Sequence, residues 1–242
     1  MTRPLSARDL VGIWESGEDL HLVDRGLLLL AAACPGQTPG ALAAFSVGER
    51  DARLLALREK TFGPSLQGFS QCSRCAERLE FETSVADIRT EGADEEPREL
   101  VAEGLKLRFR LPDSSDLAAV AGARDPASAR DLLARRCVLG ASRDGQPVED
   151  FEFTAGIMGG LARRMAECDP RAEVLLDMVC PACGHGWQEP LDIVTFFWAE
   201  LAAWVRRLLR EVHALALAYG WREADILDMS ARRRRFYLEM AG

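Results

Sequence analysis

Two short cysteine motifs, Cys72-Ser-Arg-Cys75 and Cys180-Pro-Ala-Cys183, decide how this sequence of 242 residues is interpreted. A tight turn of this length places two thiolates at one tip, and two such tips complete a tetrahedral four-cysteine site of the kind that binds zinc. Each motif is followed by strand-like sequence and then by an Asp-Ile dipeptide, at 87–88 and at 192–193. We therefore predict one strand–turn–strand unit used twice, with a single structural zinc ion (Zn²⁺) bound by Cys72, Cys75, Cys180 and Cys183.

The distance between the two cysteine turns sets the predicted domain organisation. They are separated by 104 residues, so the metal would join distant parts of the chain. We predict an α+β, mainly helical fold, in which a split four-cysteine zinc ribbon with a small antiparallel sheet is flanked by helical N- and C-terminal segments. The predicted segments are a helical start at 1–66, two halves of the ribbon at 67–92 and 171–193, an inserted region of a strand and helices at 93–170, and a long helix with two short helices at 194–242.

Two other uses of paired cysteines stay open at this point. A redox Cys-x-x-Cys normally opens a helix, whereas Leu79-Glu-Phe-Glu-Thr83 alternates like a strand and Trp187-Gln-Glu-Pro190 is a poor helix start. Two disulfides would suit a secreted chain, but the first nine residues lack the apolar core of a signal peptide. His185 is an alternative ligand, although four cysteines make it unnecessary and favour a role in the turn. The other cysteines are predicted to be buried apolar residues: Cys34, Cys137 and Cys168.

Local patterns predict the elements around the turns. Ser46-Val-Gly-Glu49 is a capping box that opens a helix, and a further helix is predicted from about Thr154 to Glu167. Leu105-Lys-Leu-Arg-Phe-Arg-Leu111 alternates strictly and predicts a strand, for which 79–83 is a candidate partner. The acidic stretch Glu91-Gly-Ala-Asp-Glu-Glu-Pro97 is predicted to be a solvated loop.

A heptad pattern near the C-terminus predicts a long helix. Apolar residues follow one another there at alternating spacings of three and four, which is typical of a coiled-coil seam. The seam consists of Trp198, Leu201, Val205, Leu208, Val212, Leu215 and Tyr219. Two interpretations are equally open: the seam packs on the N-terminal helices of the same chain, or it binds a partner helix or a second copy.

Composition and motifs narrow the function. The net charge is −8, which disfavours binding to nucleic acid or to a membrane surface. No apolar stretch approaches the ~20 residues needed to span a bilayer. The sequence has no phosphate-binding glycine loop and no His-Glu-x-x-His motif, and zinc held by four thiolates has no open position for water. We therefore expect a non-enzymatic protein without a small-molecule substrate, located in the cytoplasm or in a soluble particle.

Five segments, in this order, resemble one protein family. They are Arg110-Leu-Pro-Asp-Ser-Ser-Asp-Leu117, the stretch from Asp169 to His185 around the second cysteine turn, Asp192-Ile-Val-Thr-Phe-Phe-Trp-Ala-Glu200, the stretch from Leu209 to Tyr219-Gly-Trp221, and Arg233-Arg-Arg-Phe-Tyr-Leu238. The resemblance is to the baseplate hub assembly chaperones of contractile-tailed, T-even-like phages, in the zinc-ribbon version encoded with phage-like contractile injection systems. It covers about residues 70–240.

The resemblance implies a non-enzymatic part in building the baseplate hub, with hub, spike or wedge proteins as partners and an injection particle as a second location. The expected partner-binding residues are Tyr219, Trp221, Arg233 and Arg234, since an aromatic pair beside an arginine cluster is a common interface anchor. The alternative is a zinc-ribbon nucleic-acid-binding or regulatory protein. Against it, the residues near the turns are acidic rather than basic: Glu77, Glu80, Glu82, Glu189 and Asp192.

Overall fold

The computed structural model describes residues 3–92 and 98–241 of the chain. It consists of helices and small antiparallel sheets, which confirms the mixed, mainly helical class. Most of the predicted acidic loop, at 93–97, lies outside the described residues. The sequence pattern predicts one small sheet, but the described residues form three separate sheets, of two, four and two strands.

Four helices form the N-terminal part of the molecule. They are α1 Ala7–Gly17, α2 Leu22–Ala33, α3 Pro39–Ala43 and α4 Val47–Phe62. As predicted, the Ser46 hydroxyl accepts a hydrogen bond from the Glu49 backbone N–H and starts α4. The Glu49 carboxylate pairs with Arg53 and Arg171 instead of returning to the cap, so only half of the predicted capping box forms.

Two hairpins carry the cysteine turns at their tips. The first consists of β1 Ser65–Gln71 and β2 Arg78–Ser84, and the short helix α5 Val85–Ile88 follows it. The second consists of β7 Leu175–Val179 and β8 Gly186–Pro190. The repeated strand–turn–strand unit is therefore present in both places.

The inserted region has a four-stranded sheet and three helices. The strands pair in chain order as β3 Glu99–Ala102, β4 Leu105–Phe109, β5 Val138–Arg143 and β6 Gln146–Val148. The helices are α6 Ser114–Val120, α7 Pro126–Cys137 and α8 Ala155–Cys168, and a 3-10 helix at Pro170–Ala172 leads to the second hairpin.

The predicted strand at Leu105–Leu111 is present as β4, but the suggestion that it pairs with 79–83 is wrong. It pairs with β3 across the two-residue turn Glu103-Gly104 and, on its other side, with β5, which follows α6 and α7. A second two-residue turn, Asp144-Gly145, joins β5 to β6. Glu103 and Gly104 both have positive φ, at 52° and 75°, and Asp144 and Gly145 have 52° and 81°. Two consecutive residues of positive φ form the turn that matches the twist of a hairpin.

The helix α9, Ile193–Tyr219, runs through the main core and ends at Gly220, whose φ of 67° is left-handed. Six residues of the predicted seam are buried against α1, α2, α4, α10 Glu223–Leu227 and α11 Ala231–Ala241, and the seventh, Tyr219, is half-buried. The seam therefore packs on helices of its own chain, which is the first of the two interpretations. Arg58 of α4, which is 2 % exposed, donates two hydrogen bonds to the Glu200 carboxylate at 2.5 and 2.8 Å and joins α4 to α9.

Candidate metal centre

The two cysteine turns have the same backbone structure. In the first, the Cys72 N–H donates to the Glu77 carbonyl at 2.9 Å, and the Ala76 N–H donates to the Cys72 carbonyl at 2.9 Å. The second repeats both bonds, each at 2.9 Å, between Cys180, Gly184 and His185. Each turn thus directs two thiols away from the end of its hairpin.

One residue of each turn has left-handed backbone conformation. It is Ala76 in the first turn, with φ 60°, and Gly184 in the second, with φ 70°. This conformation costs an alanine about 1–2 kcal/mol and costs a glycine nothing. The first turn therefore maintains a strained residue, which requires support from its surroundings.

The tips of the two hairpins meet, and the four thiols of Cys72, Cys75, Cys180 and Cys183 form one cluster. The Sγ atoms of Cys72 and Cys183 are 3.7 Å apart, those of Cys75 and Cys180 are 3.6 Å apart, and all four lie within 4.8 Å of one another. Four sulfurs at 2.3 Å from a central zinc ion would be about 3.8 Å apart. All four cysteines are free thiols here, at separations well beyond a disulfide bond. The cluster could therefore hold a metal ion.

Electrostatics in the cluster favour a cation. Burial by itself raises the pKa of the Cys72 thiol, but the backbone N–H groups of Cys75 and Arg74 and the neighbouring thiols outweigh this and lower the pKa to about 7. The Glu77 N–H favours the thiolate of Cys75, yet the Cys183 thiol, burial and the other thiols raise its pKa to about 12. Several thiolates in so small a space repel one another, and a bound divalent ion removes that repulsion.

The surroundings hold the second tip against the first. Glu189 accepts hydrogen bonds from Ser70 of the first hairpin at 3.1 Å and from the Trp187 indole N–H at 2.9 Å. His185 stacks on the Trp187 ring, with centroids 6.0 Å apart, and lies outside the thiol cluster. Cys72 and Cys180 are buried, whereas Cys75 and Cys183 are exposed.

The first hairpin is fixed to the helical core at its base. Leu66 and Val85 are fully buried in the same cluster as the seam of α9. Phe81 lies across its strand partner Gly68, where a Cβ atom would come within 2.5 Å of the Phe81 ring and 3.4 Å of the Phe196 ring of α9. The hairpin that carries the first cysteine turn is therefore packed against α9 at its base.

The predicted partner-binding aromatics form a cluster at the end of α9. The Tyr219 and Trp221 rings stack at 4.5 Å, the Trp221 and Tyr237 rings meet edge to face at 4.8 Å, and the Tyr219 hydroxyl donates to the Tyr237 carbonyl at 3.1 Å. Both Tyr219 and Trp221 are half-buried and pack on the main core. This position gives them a structural role and leaves part of each ring accessible.

The structure corrects the prediction for Arg234. This residue is 3 % exposed, and its guanidinium donates to the Glu211 carboxylate at 3.0 Å and to the Met229 carbonyl at 2.6 Å. It therefore joins α11 to α9 and cannot serve as a surface contact. Arg233 remains exposed, with its guanidinium 5.7 Å from the Tyr237 ring centre.

An exposed face of α11 was missed by the sequence analysis. Phe236 and Met240 are 58 % and 65 % exposed, one helical turn apart, and they stand beside Arg232 and Arg235. The signal was present in the sequence, because residues at positions i and i+4 share one side of a helix.

Comparison with known proteins identifies the family. The family model described as T4 bacteriophage base plate protein matches residues 26–198, well over half of the chain. The chain belongs to this family. The match includes both cysteine turns and ends inside α9, before α10 and α11. No curated protein and no solved structure matches the chain.

Family membership supports a structural role among other baseplate proteins. Within the described residues, the four thiols are the one group of three or more potential metal ligands that lie close together. None of the described helices combines the length and the apolar character that a membrane crossing requires.

Proposed function

We propose that this protein is a non-enzymatic, chaperone-like assembly protein for the baseplate hub of a phage tail-like contractile injection system, and that a structural zinc ion stabilises it. The observation that carries the proposal is the family match over a span that contains both cysteine turns. The predicted split zinc ribbon is part of this proposal: its halves are the two hairpins, and the inserted region buds off between them.

The chemistry of the donor set fits zinc. Four thiolates at tetrahedral spacing are typical of structural zinc sites, and a bound zinc ion would supply a strong link between hairpins that are far apart in the chain. Cys72, Cys75, Cys180 and Cys183 would occupy all four positions. Such a site leaves no place for a reactive water, which supports a structural rather than a catalytic role.

We propose the outer face of α11 as the partner-binding surface and leave out Arg234, because its side chain is buried. This face combines the exposed Phe236 and Met240 with Arg232, Arg233 and Arg235, next to the accessible edges of Tyr219 and Trp221. An apolar anchor within a basic rim suits an acidic surface on a hub, spike or wedge protein. The protein would meet these partners in the cytoplasm, where particles assemble, and remain in the injection particle if it is a permanent subunit.

Gene deletion combined with co-purification tests the proposal. Deletion should yield particles that lack a complete hub, and wild-type protein should co-purify with hub, spike or wedge subunits. Phe236→Ala combined with Arg233→Glu should weaken that association by roughly tenfold or more, as expected for an interface anchor. Arg206→Glu, an exposed arginine on α9, is the control and should leave the association unchanged.

Complete and active particles in the deletion strain would overturn the assembly role. The alternative, a nucleic-acid-binding or regulatory protein, predicts a different result. It requires a shift of DNA or RNA in a gel that weakens steeply with added salt.

A further inference from the structure

A groove in the inserted region is a second surface feature, separate from the thiol cluster and from α11. It has a volume of about 860 Å³ and lies between α6, α7, α8 and the segment at 169–173. Its charged lining residues are Arg130, Asp169 and Glu173, and all the others are apolar residues or glycine. A concave apolar surface of this size is typical of a binding site rather than of ordinary solvent-facing surface.

The groove-facing side of α8 lacks polar residues. Small residues recur there at spacings of three and four and are exposed, and two half-buried methionines flank them. A helix side that faces water normally carries charged residues, and methionine adapts readily to a partner surface. The residues of this side are Ala155, Gly159, Ala162 and Ala166, with Met158 and Met165.

The three glycines of α8 differ in what surrounds them. A Cβ atom on Gly156 would collide with the Glu103 carboxylate, and one on Gly160 would come within 3.3 Å of Leu100. These two contacts inside the chain account for two glycines. A Cβ atom on Gly159 would have no atom within 4 Å, although glycine weakens a helix interior. Gly159 faces the groove, where the absence of a side chain lets another backbone approach closely.

The walls of the groove favour a helix as its occupant. They are themselves largely helical, and they offer no strand edge with which an extended segment could pair its backbone. Small residues along α8 form a shallow channel into which the ridge of a second helix packs. From Ala155 to Ala166 this channel is about 17 Å long, which corresponds to about three helical turns.

Charges at the groove specify the margins of that helix. Arg130 lies on α7 and Glu173 follows the 3-10 helix, and both are exposed. Neither side chain forms an ion pair with another described residue. Asp169, in contrast, already accepts a hydrogen bond from the Gly48 N–H at 2.9 Å. A complementary helix therefore carries an acidic residue opposite Arg130 and a basic residue opposite Glu173.

We propose that this groove binds an amphipathic helix of another baseplate protein, with the apolar side of that helix crossing Gly159. The choice of a baseplate partner rests on the proposed function. With the outer face of α11, the groove gives the protein two separate contact surfaces, as a protein that brings two subunits together requires.

Photo-crosslinking in cells that produce whole particles tests the groove. The photoreactive residue p-benzoylphenylalanine replaces Ala162 in the groove, or Gly12 as a matched control. Like Gly159, Gly12 is an exposed glycine inside a helix, and a Cβ atom there would have no atom within 4 Å. Its neighbours on the helix surface are polar, however: Arg8, Glu15 and Ser16. We expect a crosslink from position 162, and none from position 12, to an amphipathic helix of a hub, spike or wedge protein.

Two substitutions complete the test. Gly159→Leu should reduce the crosslink from position 162 roughly tenfold, because it fills the point of closest approach, and Gly12→Leu should not. Both variants should melt no lower than wild type, since leucine favours a helix more than glycine does. If Gly159→Leu fails to fold, Ala162→Glu, crosslinked from position 166, replaces it.

Three results would overturn the groove proposal. They are a crosslink only to a second copy of this chain, no crosslink at all, and normal crosslinking and assembly with Gly159→Leu. Each is distinguishable from failure of the assembly role itself. If the assembly role itself were wrong, deletion of the whole gene would leave particle assembly intact.

Discussion

The first and second hairpins present their cysteines in the same geometry from different local sequences. The second turn has Gly184 at its left-handed position, and the first turn has Ala76 there. Their supports differ as well. The first hairpin is anchored in the main core by Leu66 and Val85, whereas the buried residues of the second, Leu176 and Met178, lie outside that core cluster.

The difference indicates which parts of the unit are essential. The other turn residues differ, but the two cysteines and the two backbone hydrogen bonds made by the first cysteine of each turn are the same. The proposed metal would explain this, since its ligands would fix the turn even where the local sequence disfavours it. The less anchored second hairpin should also depend more strongly on the metal than the first.

The largest effect is expected from removing a ligand. Cys180→Ala should abolish zinc binding and lower the free energy of unfolding by up to about 10 kcal/mol, the scale of structural zinc in small domains. Urea unfolding with a parallel zinc assay measures both quantities. Cys34→Ala is the control, because Cys34 is buried but outside the cluster, and it should cost about 1 kcal/mol and retain the metal. Equal losses in the two variants would show that the thiols only fill space.

The anchoring of the two hairpins can be compared by core truncation. Leu66→Ala should cost about 3–5 kcal/mol, because Leu66 is fully buried in the helical core. Met178→Ala should cost about 2 kcal/mol, since Met178 is 7 % exposed and outside that core. Denaturant unfolding of the zinc-loaded protein measures both values. A reversed order would mean that the second hairpin carries more of the stability than its packing suggests.

The left-handed residues should respond in opposite directions. Gly184→Ala should destabilise the protein by about 1–2 kcal/mol, because a Cβ atom there meets no neighbour and the cost is confined to the backbone. Ala76→Gly should stabilise it by up to about 1 kcal/mol, since glycine relieves the same strain but adds entropy to the unfolded chain. Thermal unfolding of the pair is the measurement. Effects of the same sign would contradict the equivalence of the two turns.

The smallest effect is expected at the contact between the hairpins. Ser70→Ala removes the hydroxyl that donates to Glu189 at 3.1 Å and should cost about 1 kcal/mol. Ser65→Ala, which removes an exposed hydroxyl bonded to Glu82, is the control and should cost less. A clearly larger effect at Ser65 would mean that the Ser70 bond does not hold the hairpins together.

Patterns with strong local chemistry were sufficient to predict much of the fold. The paired cysteines, the apolar seam of α9 and the alternation at Leu105–Phe109 each correspond to an element of the structure. These signals depend on neighbours in the sequence or on ligand chemistry. The segment boundaries proposed for the four parts of the chain stay a prediction.

Other features required the fold itself. The partner of β4 was mispredicted because the Glu103-Gly104 turn, which pairs β4 with β3, was overlooked. Its other partner, β5, follows two helices, and no local pattern indicates that pairing. Arg234 could not be distinguished from Arg233 by sequence, since only the packing of α11 on α9 shows which arginine is buried. The groove also depends on three helices meeting, and no linear pattern encodes that.

The central claim is that one zinc ion, held by four thiolates, joins the two hairpins. X-ray absorption spectroscopy at the zinc edge, combined with elemental analysis of the purified native protein, tests it most directly. The account predicts one zinc ion per chain, with four sulfur neighbours at about 2.3 Å. Protein without metal, in which Cys72, Cys75, Cys180 and Cys183 form disulfides, would contradict it.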